Sequence, residues 1–162
     1  MTAAAKSNPV GEHALTASRI IRAPRARVFE AWLNPAIRRR WWLNSKGQGP
    51  THCEIDGRVG GRYCIKQVGC GCETELAQDD DYEWVMTGEF LEISAPERIV
   101  FSWSVNHEDE PVVDQRVTVE FREVDGGTEV TIHHVGIVST TMRDGTNKGW
   151  NTMLENIARV LE

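Results

Sequence analysis

The last helix constrains the fold of this chain most. Trp150, Met153, Leu154, Ile157, Val160 and Leu161 recur at helical spacing, with polar Asn151, Glu155 and Arg159 between them. That spacing predicts an amphipathic helix with one broad apolar stripe. A long run of strand-like segments and turns precedes it. A single helix that closes a large antiparallel sheet lies across the sheet's hollow face. Such a sheet twists and curves, so helix and sheet do not meet everywhere, and the space between them suits an apolar ligand.

The segments before that helix fall in a clear order. Thr16 to Arg22 reads as a first strand. Pro24 then favours a helix start, and Val28, Phe29, Ala31, Trp32 and Leu33 give that helix its apolar face. Asn34-Pro35 ends it and opens a second short helix through Trp41. Arg38-Arg39-Arg40 is read as the wet side of that helix, with Trp41 and Trp42 packing beneath. His52 to Asp56 and Arg62 to Val68 read as strands around the tight link Gly57-Arg58-Val59-Gly60-Gly61. That link lacks the Gly-Lys-Ser/Thr ending of a phosphate loop and opens a strand, not a helix. Trp84 to Ile93 and Ile99 to Val105 form a hairpin across Ser94-Ala95-Pro96-Glu97. Gln115 to Glu123 and Thr128 to Val135 form another across Asp125-Gly126-Gly127.

Alternation assigns the faces. Ile99, Phe101, Trp103 and Val105 share one face, as do Val117, Val119 and Phe121, and Val130, Ile132 and His134. Arg116, Thr118, Glu120 and Arg122 form the opposite, wet face. His134 is an ionisable group at the end of an apolar row, whereas His133 points outward.

Composition excludes several functions. The 162 residues fit one domain, expected over 14–162, with a small, polar, disordered tail over 1–13. The formal net charge of −6 argues against a nucleic-acid binder, which needs a basic face. No apolar run approaches the ~18 residues of a membrane span. The polar start lacks the apolar core of a secretory signal, so a cytoplasmic location is expected. The four cysteines, Cys53, Cys64, Cys70 and Cys72, are then expected to be reduced thiols. Cys70 and Cys72 are weak metal candidates. Their C-x-C spacing departs from paired C-x-x-C, and the acidic run from Glu73 to Glu83 favours a solvated loop.

The order of elements resembles the helix-grip fold of the START and Bet v 1-like (SRPBCC) superfamily. Within it, the chain is similar to the activator of Hsp 90 ATPase homologue-like family. Arg22-Ala23-Pro24 with Val28-Phe29 and Ala31-Trp32 resembles that family's first helix, and Trp41-Trp42 its paired aromatics. Asp56-Gly57-Arg58-Val59-Gly60-Gly61 resembles its D-x-R-x-G-G hairpin. Gly88-Glu89-Phe90, Pro96-Glu97-Arg98-Ile99 and Phe101-Ser102-Trp103 resemble its central hairpin. Gly127-Thr128 through His134-Val135-Gly136 resembles its last strand, and Gly149-Trp150 its final helix. The resemblance implies an α+β fold. About seven antiparallel strands would wrap a long C-terminal helix, with two short helices after the first strand. A homodimer is compatible with it, since related folds often pair.

Three functions follow as expectations. The first is a cofactor-free binding protein for a small apolar or aromatic molecule. Trp84, Phe90, Phe101, Trp103, Phe121, Ile132, His134, Trp150, Met153 and Ile157 would supply its lining. The second is a cyclase- or hydrolase-like enzyme on an aromatic or polyketide-like substrate in the same cavity. His134 would be its acid/base, with Tyr63 or Arg58 polarising a carbonyl. A core-edge histidine bonded to a backbone carbonyl is the simpler role for His134. Likewise, Arg58 paired with Asp56 more simply braces its own hairpin. The third is a chaperone-interacting module using the outer sheet or the acidic loops.

Overall fold

The computed structural model describes residues 12–44, 46–68, 83–106 and 115–162. Seven strands form one antiparallel sheet. They are β1 (His13–Ile21), β2 (His52–Ile55), β3 (Arg62–Val68), β4 (Glu83–Ser94), β5 (Arg98–Asn106), β6 (Gln115–Val124) and β7 (Gly127–Ile137). Their spatial order is β1-β7-β6-β5-β4-β3-β2. The last strand in sequence therefore pairs with the first, and the helices after β1 bridge to the far edge. Helices α1 (Arg25–Leu33) and α2 (Pro35–Trp41) follow β1, and α3 (Thr140–Leu161) closes the chain. This is the helix-grip arrangement expected from the sequence.

Local chemistry sets the element ends. Asn34 caps α2 by accepting from Ala36 N at 2.9 Å, and Pro35 occupies its first turn. Ser139 caps α3 by accepting from Met142 N at 3.1 Å. The helix thus begins ten residues before the apolar stripe that announces it at Trp150. Thr140, Thr141, Gly145 and Gly149 are poor helix formers, so the cap and the packing start this half, not its propensity. The strands also run slightly longer than expected. In the β6–β7 hairpin Val124 pairs with Gly127, which leaves a two-residue turn in which Gly126 takes φ 85°. β1 begins at His13.

The inner rows follow the alternation. Val117, Val119 and Phe121 of β6 face Ile99 and Phe101 of β5 and Val130, Ile132 and His134 of β7, all buried. On the other half, Tyr63, Ile65 and Gln67 of β3 pair with Gly88, Met86 and Trp84 of β4. α3 packs along β1 and reaches α2 and β7. Its buried residues Trp150, Met153, Leu154, Ile157 and Leu161 complete the core. Asn156 is buried with them and donates to the Trp41 carbonyl at 3.2 Å, tying α3 to the end of α2. None of the described helices is long and apolar enough to cross a membrane.

Candidate ligand site between the sheet and the helices

Aromatic rings fill the space between α2, α3 and the central strands. Trp42 lies 6.2 Å from Trp103 and 5.8 Å from Trp150, centroid to centroid, and Trp103 lies 5.4 Å from Trp150. Trp103 also meets the His134 ring at 5.5 Å. These contacts fall within the range of favourable ring pairs. Trp42 and Trp150 are buried, but Trp103 is only partly so. The ring cluster therefore meets the surface at the end of β5.

His134 is fully buried, and its two ring nitrogens are both engaged. Nδ1 accepts from the Trp150 indole N–H at 3.0 Å. Nε2 sits 2.6 Å from Gln115 Oε1. An indole nitrogen only donates, so Nδ1 is unprotonated and the ring's proton lies on Nε2, donated to Gln115. Burial lowers the His134 pKa from 6.5 to about 3. The ring is thus a neutral strut between β7, β6 and α3. Among the described residues no carboxylate orients it and no backbone carbonyl holds it, contrary to the simpler role expected from sequence.

Tyr63 reaches across Gly88, its partner on β4, and donates to the Ser102 carbonyl of β5 at 2.7 Å. Burial pushes its phenol well above the ordinary value. Tyr63 contacts Phe90 and Phe101, a second ring group beside the first. Phe121 belongs to a third, beneath α1, with Phe29 at 5.2 Å and Trp32 at 6.4 Å. Trp84, Ile132, Met153 and Ile157 are buried in the same continuous core.

Arg58 follows the simpler of its two expected roles, and Arg38 departs from its own. Arg58 stands at the surface, with 79% of its side chain exposed, and its Nε pairs with Asp56 at 2.9 Å. It braces the β2–β3 link and does not face the interior. Arg38 does the opposite. It was expected on the wet side of α2 with Arg39 and Arg40, yet it is only 3% exposed. Its guanidinium lies over the rings of Trp32, Trp41 and Trp42, 5.2, 4.7 and 4.5 Å from their centroids. The signal for this was its spacing: Arg38 stands three and four residues before the two tryptophans, on their face of the helix. Gln115 was also missed, although it shares the parity of Val117, Val119 and Phe121.

Among the described residues, no group of three or more His, Cys, Asp or Glu could hold a metal ion. Cys53 faces inward opposite Ile65, and Cys64 lies on the other face; both are free thiols. Cys70 and Cys72 lie outside the described residues.

The family model described as Activator of Hsp90 ATPase homolog 1-like protein matches residues 22–162. The chain belongs to this family. Solved structures agree with the fold of this AHSA1-like chain. It is similar to a protein of Chromobacterium violaceum at 24% identity and TM-score 0.75, covering 92% of this chain and 96% of that one. It is similar to an AHSA1-like protein of Aeromonas hydrophila at 26% identity and TM-score 0.68, covering 91% of each. A Rhizobium leguminosarum protein of 21% identity superposes with TM-score 0.77, covering 92% and 93%. No curated protein matches the chain.

Proposed function

We propose that this AHSA1-like chain binds a small, flat, largely apolar molecule between the sheet and the helices. The observation that carries the reading is Trp103. Its indole packs against Trp42, Trp150 and His134, three buried rings, yet it stays partly exposed. A ring-walled interior that reaches the surface at one side chain suits entry and stacking of an aromatic guest. α3 leans on β1 and α2, so large side chains, not backbone, span the distance from α3 to β5. Such side chains change rotamer more readily than a sheet moves.

In this reading His134 fixes the Trp150 indole and exchanges no proton. The ligand role therefore fits the geometry better than acid/base catalysis.

The test is quenching of tryptophan emission by two pairs of aromatic probes, benzoate with benzamide and naphthoate with naphthamide. Saturable binding of at least one probe, weakened about tenfold or more by Trp103→Ala, is the expected result. No binding of any of the four at millimolar concentration overturns the reading.

A further inference from the structure

The core of this protein holds a positive charge that no described carboxylate balances. Arg38 is enclosed by three indoles, and its only hydrogen bond among the described residues is from Nη1 to the Trp32 carbonyl at 3.0 Å. Its Nε is buried with no acceptor among the described residues. The arginines that do form ion pairs with described carboxylates, Arg58, Arg98, Arg122, Arg143 and Arg159, all have substantially exposed side chains. Arg38 pairs with none of the described carboxylates.

Its described ionisable neighbours cannot supply the missing charge. Cys53 and Tyr63 face it from β2 and β3. Burial raises the pKa of both, which keeps thiol and phenol neutral at neutral pH. Burial lowers Arg38 itself to about 10, so the guanidinium stays protonated. Cation–π contact with three indoles offsets part of the lost hydration. It leaves the Nε donor without an acceptor among the described residues. Buried charges in proteins are ordinarily paired and hydrogen-bonded.

The Arg38 site is continuous with the ring-walled interior. Trp42 is common to both: it lies under the guanidinium and against Trp103 and Trp150. A guest stacked on Trp103 and Trp42 therefore extends toward Arg38.

We infer that the ligand is an aromatic carboxylic acid, bound as its anion, with its carboxylate on the Arg38 guanidinium and its ring among Trp42, Trp103 and Trp150. The guanidinium fork matches a carboxylate through two parallel hydrogen bonds. This inference rests on the binding reading above and names the charge of the ligand.

The experiment compares each acid with its neutral, nearly isosteric amide at neutral pH, by tryptophan quenching with native mass spectrometry as a second readout. The wild-type protein is expected to hold benzoate or naphthoate about tenfold or more tighter than the matching amide. Arg38→Gln is expected to erase that preference, bringing acid and amide affinities within about threefold of each other. Arg38→Met repeats the test in case the glutamine variant does not fold, and the wild-type comparison needs no variant. Equal binding of acid and amide by the wild-type protein overturns the inference and leaves the binding reading standing. So does an acid preference that survives in a folded Arg38 variant. Failure of all four probes overturns both.

Discussion

The Trp150 indole N–H donates to His134 Nδ1 at 3.0 Å, and this bond fixes the tautomer of a ring that burial keeps neutral. A second proton on His134 would place two N–H groups face to face. The folded pKa, about 3, lies below the ordinary 6.5 of an unfolded chain. The unfolded state therefore binds the extra proton first as pH falls. The stabilisation linked to His134 is complete above about pH 6.5 and is lost between there and about pH 3, at up to ~1.4 kcal/mol per pH unit. Urea midpoints measured across this window are expected to fall more steeply for the wild-type protein than for His134→Gln. Parallel profiles would show that the ring is charged or solvated.

Tyr63 and Gly88 make a second dependent pair. A β-carbon on Gly88 would overlap the Ser102 carbonyl oxygen and the Tyr63 ring. The tyrosine can cross β4 to reach β5 only because position 88 has no side chain. Gly88→Ala is expected to cost about 3 kcal/mol, the upper range for overpacking. Tyr63→Phe keeps the ring and loses only the hydroxyl bond, about 1 kcal/mol. Denaturant titration of the two variants should separate these values clearly.

Much of the sheet was legible because alternation is unambiguous where one face is wet. Val117, Val119 and Phe121 against Arg116, Thr118 and Glu120 leave a single register. The N-terminal half of α3 was not legible, because its glycines and threonines carry no stripe. The site was harder. Alternation shows that Phe101, Trp103 and Phe121 point inward, but not that Phe121 joins Phe29 under α1 while Trp103 joins Trp42 and Trp150. Ring partners depend on how strands and helices superpose in space. Arg38 was misread for a different reason. A basic triplet is usually solvated, and composition outweighed the helical spacing that put its first member among tryptophans.

Arg58 offers a contrasting expectation. Its pairing with Asp56 is exposed on both sides and screened by water. Arg58→Ala should change stability by less than about 0.5 kcal/mol. It should also leave the affinity for aromatic acids unaltered. A selective loss of acid binding in this variant would move the anion contact from the core to the hairpin.

Cys53 reports on the charge balance around Arg38. A thiolate beside the guanidinium would be a built-in counter-ion and would react quickly with alkylating reagents. Burial instead raises the Cys53 pKa, outweighing the opposite pull of Arg38 and Arg39. The native protein at neutral pH should therefore be alkylated at Cys53 only as fast as it opens, and more slowly than at the partly exposed Cys64. Peptide mapping after a timed pulse distinguishes the two sites. Rapid modification of Cys53 would mean that the thiolate already balances Arg38, and the core would then have no need of an acidic guest.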